Sequence, residues 1–115
     1  MERIIKAFFH SWAGWSHAIR TEQAVQQEAV LLAIALPASF LITDDNWKRL
    51  ALIGVLLILL AVEFLNTAIE KLADHVRPDL HPHIKVVKDL GSAAVFMLLL
   101  LSGLVWLLAL WERFA

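Results

Sequence analysis

Glu63, Asn66, Glu70 and Asp74 recur at three- and four-residue intervals in "VEFLNTAIEKLADHV", directly after twelve residues, Leu50–Ala61, without one polar side chain. On a helix they fall at about −60° to +20°, a single stripe about 80° wide. Three carboxylates and an amide on one face can do two things. Clustered carboxylates repel one another unless a cation sits among them. Hard oxygen ligands at a membrane–water edge suit Mg²⁺, which keeps several waters and binds together with substrate phosphates. A carboxylate set deeper than the metal is placed to serve as a general base, and Glu63 is that residue by position. Asn66 is placed to orient the base or a bound hydroxyl, and Lys88 to offer positive charge to phosphate oxygens. The parts fit metal-assisted phosphoryl transfer to a hydroxyl presented from a bilayer.

Ordinary explanations compete for each group. Glu70 and Asp74 can be solvated surface residues, and Glu63 and Asn66 can be hydrogen-bonding glue between helices. Glu28 can cap or pair locally. An acidic side chain at membrane depth nevertheless costs a few kcal/mol and calls for compensation.

The elements that position these groups are apolar. The chain has 115 residues, 60% hydrophobic and 18% charged, outside the usual range for a soluble domain and short enough for only one domain. A net charge of −1 gives no basic excess for nucleic acid, and the lack of cysteine removes disulfides and thiolate metal sites. "MERIIKAFF" has no continuous apolar run, so no cleaved signal peptide is expected. Leu90–Trp111 is 22 residues without a charge, enough to cross a hydrocarbon core of about 30 Å. Spans are expected at about 24–42, 48–70 and 90–111, with Pro37 bending the first. Pro78 and Pro82 end the second helix and keep the connector irregular.

Over about 3–19, Ile4, Ile5, Phe8, Phe9, Trp12, Trp15 and Ile19 share one side of a helical wheel, opposite Arg3, Lys6, His10 and His17. This predicts an amphipathic helix in the headgroup plane. Seven basic residues fall on the side holding the N-terminus and the second connector: Arg3, Lys6, Arg20, Lys71, Arg77, Lys85 and Lys88. Lys48, Arg49 and Arg113 fall on the other, so the N-terminus is expected in the cytoplasm and the C-terminus outside. Glu63 then lies roughly 20 Å from the outer end of its span and Glu70 roughly 30 Å. Glu22, Glu28, Lys88, Asp89 and Ser92 from the other two spans meet the stripe at that cytoplasmic edge.

Gly14, Gly54, Gly91 and Gly103 are scattered, so neither a P-loop nor a kinase phosphate loop is present. A non-enzymatic ion conduit or assembly subunit is the main competitor. A conduit requires polar residues through the whole thickness, which Leu50–Ala61 and Phe96–Leu101 do not offer. Zinc binding by His75, His81 and His83 lacks a supporting helical spacing.

"VEFLNTAIEKLAD" followed by "KDLGSAA" resembles the signature of the prokaryotic diacylglycerol kinase family, small trimeric three-span enzymes of the bacterial inner membrane. The resemblance runs from "RIIKAFFHSW" through "EQAVQQE" to "WLLALW". It implies an all-α membrane protein: a surface helix and three spans, assembled as a homotrimer with sites shared between subunits. It implies phosphoryl transfer from ATP to diacylglycerol, with Glu63 as base and Glu22 and Glu70 holding Mg²⁺. Nucleotide-side positions are Arg3, His10, Glu22, Glu70, Asp79, Leu80, His81, Lys88 and Asp89. Lipid-side positions are Arg3, Trp12, Glu28, Arg49, Glu63, Ser92, Trp106 and Trp111. The chain departs from the familiar pattern at His10, where tyrosine is usual, and at Val25 and Gln26, where an aromatic and an arginine are. A related branch phosphorylates undecaprenol; the "SWAGW" and "EQAVQQE" blocks are closer to the diacylglycerol branch.

Overall fold

The computed structural model describes residues 1–79 and 81–115, and four helices account for nearly all of them: α1 (Glu2–Thr21), α2 (Gln23–Ile42), α3 (Asn46–Val76) and α4 (Pro82–Phe114). The last three are long and apolar enough to cross a membrane.

Each break has a local cause. Glu22 adopts an extended conformation between α1 and α2. There the side-chain amide of Gln26 donates to the Ile19 carbonyl at 2.8 Å, satisfying an acceptor that the end of α1 leaves free. Between α2 and α3, Thr43 Oγ1 accepts from the Asp45 amide at 3.0 Å, and Asp45 Oδ1 caps α3 by accepting from the Trp47 amide at 2.9 Å. α2 runs unbroken through Pro37.

The third and fourth helices extend beyond the expected spans of 48–70 and 90–111. α3 continues through the polar stripe to Val76, so its 31 residues reach about 46 Å. Pro82 opens α4 instead of lying in an irregular connector. A proline at the first helical position forfeits no hydrogen bond, because that amide has no intrahelical acceptor, and its fixed φ suits the helix.

α3 and α4 lie side by side and are tied at both ends. The Trp106 indole donates to the Leu52 carbonyl at 3.0 Å, and Lys48 pairs with Glu112. At the opposite end Lys88 pairs with Asp74. The interior is thin. Ala35, Leu56 and Leu59 form one buried cluster with Val95 and Leu98 against it; Ala18, Val25 and Leu60 form another with Leu32 and Phe64. Most large apolar side chains of α4, such as Leu100, Leu104 and Leu107, point outward. Lipid accommodates such a surface and water does not.

Candidate active site

The stripe on α3 passes from interior to surface along its length. Glu63 and Asn66 are each 8% exposed, while Glu70 and Asp74 are exposed. Glu63 and Asn66 line a cavity of about 460 Å³ together with Glu28 of α2 and Ser92 of α4. Polar groups from all three long helices therefore meet at one level. Leu31 and Leu99 line this cavity and also a second, almost wholly apolar one of about 320 Å³ that extends to Ser102 and Trp106. A chamber with polar groups thus borders an apolar groove along Leu31 and Leu99, and the buried Glu63 carboxylate lies on the polar side.

Glu22, Glu28 and Glu70 are all near enough to act electrostatically on Glu63. Lys71 Nζ stands 2.9 Å from Glu22 Oε1, which brings the Glu22 carboxylate beside the residue next to Glu70. Asn66 Nδ2 donates to Glu70 Oε1 at 3.3 Å, so the amide serves Glu70 where the spacing pointed to the base. Asn66 Oδ1 and Glu28 Oε1 are buried with no hydrogen-bond partner among the described residues. Among the described residues no group of three or more carboxylates or histidines could hold a metal ion. Glu22 and Glu70 are oxygen ligands of the kind Mg²⁺ takes, one or two from protein with the rest from water and phosphate; here Glu22 is paired with Lys71 and Glu70 accepts from Asn66.

Four of the other expected nucleotide-side residues, Asp79, His81, Lys88 and Asp89, already have partners. Lys88 is occupied by Asp74, one turn beyond Glu70, and Asp89 pairs with Lys85 at 2.6 Å. Asp79 pairs with Arg77 at 3.0 Å. His81 caps α4, its Nδ1 accepting from the His83 amide at 3.2 Å, and its ring stacks on His83 at 5.2 Å. Leu80 lies outside the described residues. Arg3, His10 and Trp12 are on exposed faces of α1, which docks through Trp15, edge-on to the Phe64 ring at 4.8 Å.

The lipid-side set divides. Glu28 and Ser92 share the cavity of Glu63, and Trp106 stands at the far end of the apolar groove. Arg49 is 14 residues before Glu63 on the same helix, about 21 Å away. Its guanidinium donates to Asn46 Oδ1 at 2.7 Å and to the Thr43 carbonyl at 2.8 Å and lies 4.0 Å over the Phe40 ring. Trp111 is exposed near the end of α4. Neither is brought to the polar chamber. Sequence reasoning missed Lys71, whose pairing with Glu22 depends on how α2 meets α3. It also missed the approach of Gly91 to Asn66, signalled only by a glycine inside a long apolar helix.

The sequence model of the prokaryotic diacylglycerol kinases matches residues 9–110. The chain is 39% identical to the diacylglycerol kinase of Pseudomonas aeruginosa over 106 residues, 92% of this chain and 86% of that one. With the diacylglycerol kinase of Escherichia coli it shares 35% identity over 112 residues, covering 97% and 92% of the two. The Haemophilus influenzae diacylglycerol kinase is 30% identical over 106 residues, covering 92% and 90%. With this match spanning the surface helix, all three long helices and the Glu63 stripe, the chain belongs to the prokaryotic diacylglycerol kinase family.

Proposed function

We propose that this chain is a lipid kinase that transfers the γ-phosphoryl group of ATP to the free hydroxyl of diacylglycerol, giving phosphatidate and ADP. The observation that carries the reading is the buried carboxylate of Glu63, in a chamber shared with Glu28 that borders an apolar groove along Leu31 and Leu99. A diacylglycerol fits that boundary, with acyl chains along Leu31, Leu99 and Trp106 and its hydroxyl at Glu63.

Glu63 accepts the hydroxyl proton as the oxygen forms its bond to Pγ and the bond from Pγ to the bridging oxygen of ADP breaks. Glu22 and Glu70 are the residues that hold Mg²⁺ with the nucleotide; the ion supplies neutralisation of phosphate charge. Asn66 keeps Glu70 turned toward the nucleotide side. Lys88 exchanges Asp74 for a phosphate oxygen. Glu28 and Ser92 border the hydroxyl and select an alcohol over a hydrocarbon end. Apolar side chains at Leu31, Val95 and Leu99 make this part of the cavity unfavourable for water as a competing acceptor.

The enzyme resides in the bacterial inner membrane, with its N-terminus and nucleotide side in the cytoplasm, as the seven-to-three distribution of basic residues favours. It works as a homotrimer whose sites are completed by neighbouring copies. The thin interior of one copy and the unpartnered buried oxygen of Glu28 support that assembly.

The test is a side-by-side assay of purified protein in detergent with Mg²⁺, ATP and either diacylglycerol or undecaprenol. Preferential phosphorylation of diacylglycerol is expected. Preference for undecaprenol would move the chain to the prenol branch, and lipid-independent or absent turnover would refute the kinase reading.

A further inference from the structure

Gly91, in the stretch "KDLGSAA", has no part in the chemistry above, yet it sits buried in the interior of α4. A glycine inside a helix costs about 1 kcal/mol relative to alanine. Its three counterparts, Gly14, Gly54 and Gly103, would each accept a Cβ with nothing within 4 Å. Gly91 would not. A Cβ there would overlap Asn66 Oδ1 and stand 3.2 Å from Asn66 Cγ.

The Asn66 amide is therefore wedged against the backbone of α4. Its Oδ1 faces Gly91 and finds no hydrogen-bond donor, while Nδ2 at the other end of the amide donates to Glu70 Oε1. The two ends of an amide are rigidly linked, so whatever seats Oδ1 also aims Nδ2. The bond to Glu70 is 3.3 Å, at the long end of the hydrogen-bond range, and a displacement of a few tenths of an ångström loses it. A methyl group at position 91 demands a larger displacement than that.

We infer that Gly91 is a positioning residue: its missing side chain lets the Asn66 amide seat between α3 and α4, which orients the Glu70 carboxylate for the metal–nucleotide complex. The inference rests on the kinase reading for what Glu70 does, and on geometry alone for the contact itself. Glu70 is exposed and has no ion pair among the described residues, so the amide is what restricts its rotation. Groups that orient a metal ligand in this way typically change metal affinity by about 10- to 100-fold when lost.

The experiment compares Gly91→Ala, Asn66→Ala, the double variant and Gly54→Ala in detergent. Binding of Mn²⁺ in the presence of ATP is followed by the EPR signal of the free ion, together with thermal unfolding and the KM for diacylglycerol. Gly91→Ala should weaken Mn²⁺–ATP binding about tenfold and leave the KM for lipid unchanged. In the Asn66→Ala background it should cause no further loss of binding and no loss of thermal stability, leaving only the small gain of alanine's helix propensity. Gly54→Ala should bind Mn²⁺–ATP as the parent does and unfold at a slightly higher temperature, since it gains only helix propensity. Wild-type binding by Gly91→Ala, or equal damage with and without Asn66, overturns the inference. If Gly91→Ala fails to fold, a folded double variant supports the contact and an unfolded one overturns it. The unfolding comparison needs no turnover, so an inactive parent chain would refute the kinase function and not the contact.

Discussion

Glu63→Gln is the substitution that isolates the proposed base. The side chain is 8% exposed, and no lysine or arginine pairs with it among the described residues. Replacing the carboxylate by an amide of the same shape therefore breaks no ion pair and leaves no cavity. It also removes one charge from a group that includes Glu22, Glu28 and Glu70, which relieves repulsion. The fold should be at least as resistant to heat as the parent. Affinity for Mg·ATP should hold, because Glu22, Glu70 and the Asn66–Glu70 hydrogen bond are untouched. What disappears is the proton acceptor. General-base catalysis is worth about 10²- to 10⁴-fold, so kcat should fall by that factor, equivalent to about 3–5 kcal/mol of transition-state stabilisation. Among the described residues Glu28 is the only other carboxylate lining the same cavity, and the double change to glutamine shows whether it supplies any residual rate. The assay is steady-state phosphorylation of a short-chain diacylglycerol in mixed micelles, with nucleotide binding and thermal unfolding measured on the same preparations. A kcat within about tenfold of the parent, less than 1.4 kcal/mol in barrier, would refute the assignment. So would a loss of activity that merely tracks a loss of thermal stability.

Three further outcomes are expected. Glu70→Gln should raise the KM for Mg·ATP by about 10-fold or more, with a smaller effect on kcat; metal titrations at fixed ATP check this. Trp106→Phe should lose the indole hydrogen bond to the Leu52 carbonyl, lowering stability by about 1 kcal/mol, read as a lower unfolding midpoint. The chain has no cysteine, so single cysteines at Glu2 and Ala115 report orientation. In intact cells an impermeant thiol reagent should label the second and not the first.

The stripe was legible because its members share one helix, and a period of 3.6 residues places them without knowledge of any neighbour. The spans were legible for a similar reason: Leu90–Trp111 needs only its length and lack of charge. Pro82 was not, since a proline in a polar connector signals a stop and a start equally well until the preceding residue is seen to cap. His81 provides that cap. Contacts between helices were the least accessible. That Asn66 turns to Glu70, that Lys71 reaches Glu22 and that Lys88 is held by Asp74 all depend on the rotation and rise of one helix against another. Neither is encoded in local periodicity. Arg49 shows the same limit: its type and flanking residues do not reveal that it folds back on Thr43 and Phe40.

The edge-on contact between Trp15 and Phe64 couples two coordinates that are usually separate. Phe64 follows Glu63 in the chain, and Trp15 belongs to the helix that floats at the headgroups. On the function proposed above, the altitude of Glu63 is thereby referenced to the bilayer surface, as a float sets the depth of a hook. In a thicker or thinner membrane the far ends of the long helices would then absorb the mismatch, and the carboxylate would stay level with the glycerol backbone of one leaflet.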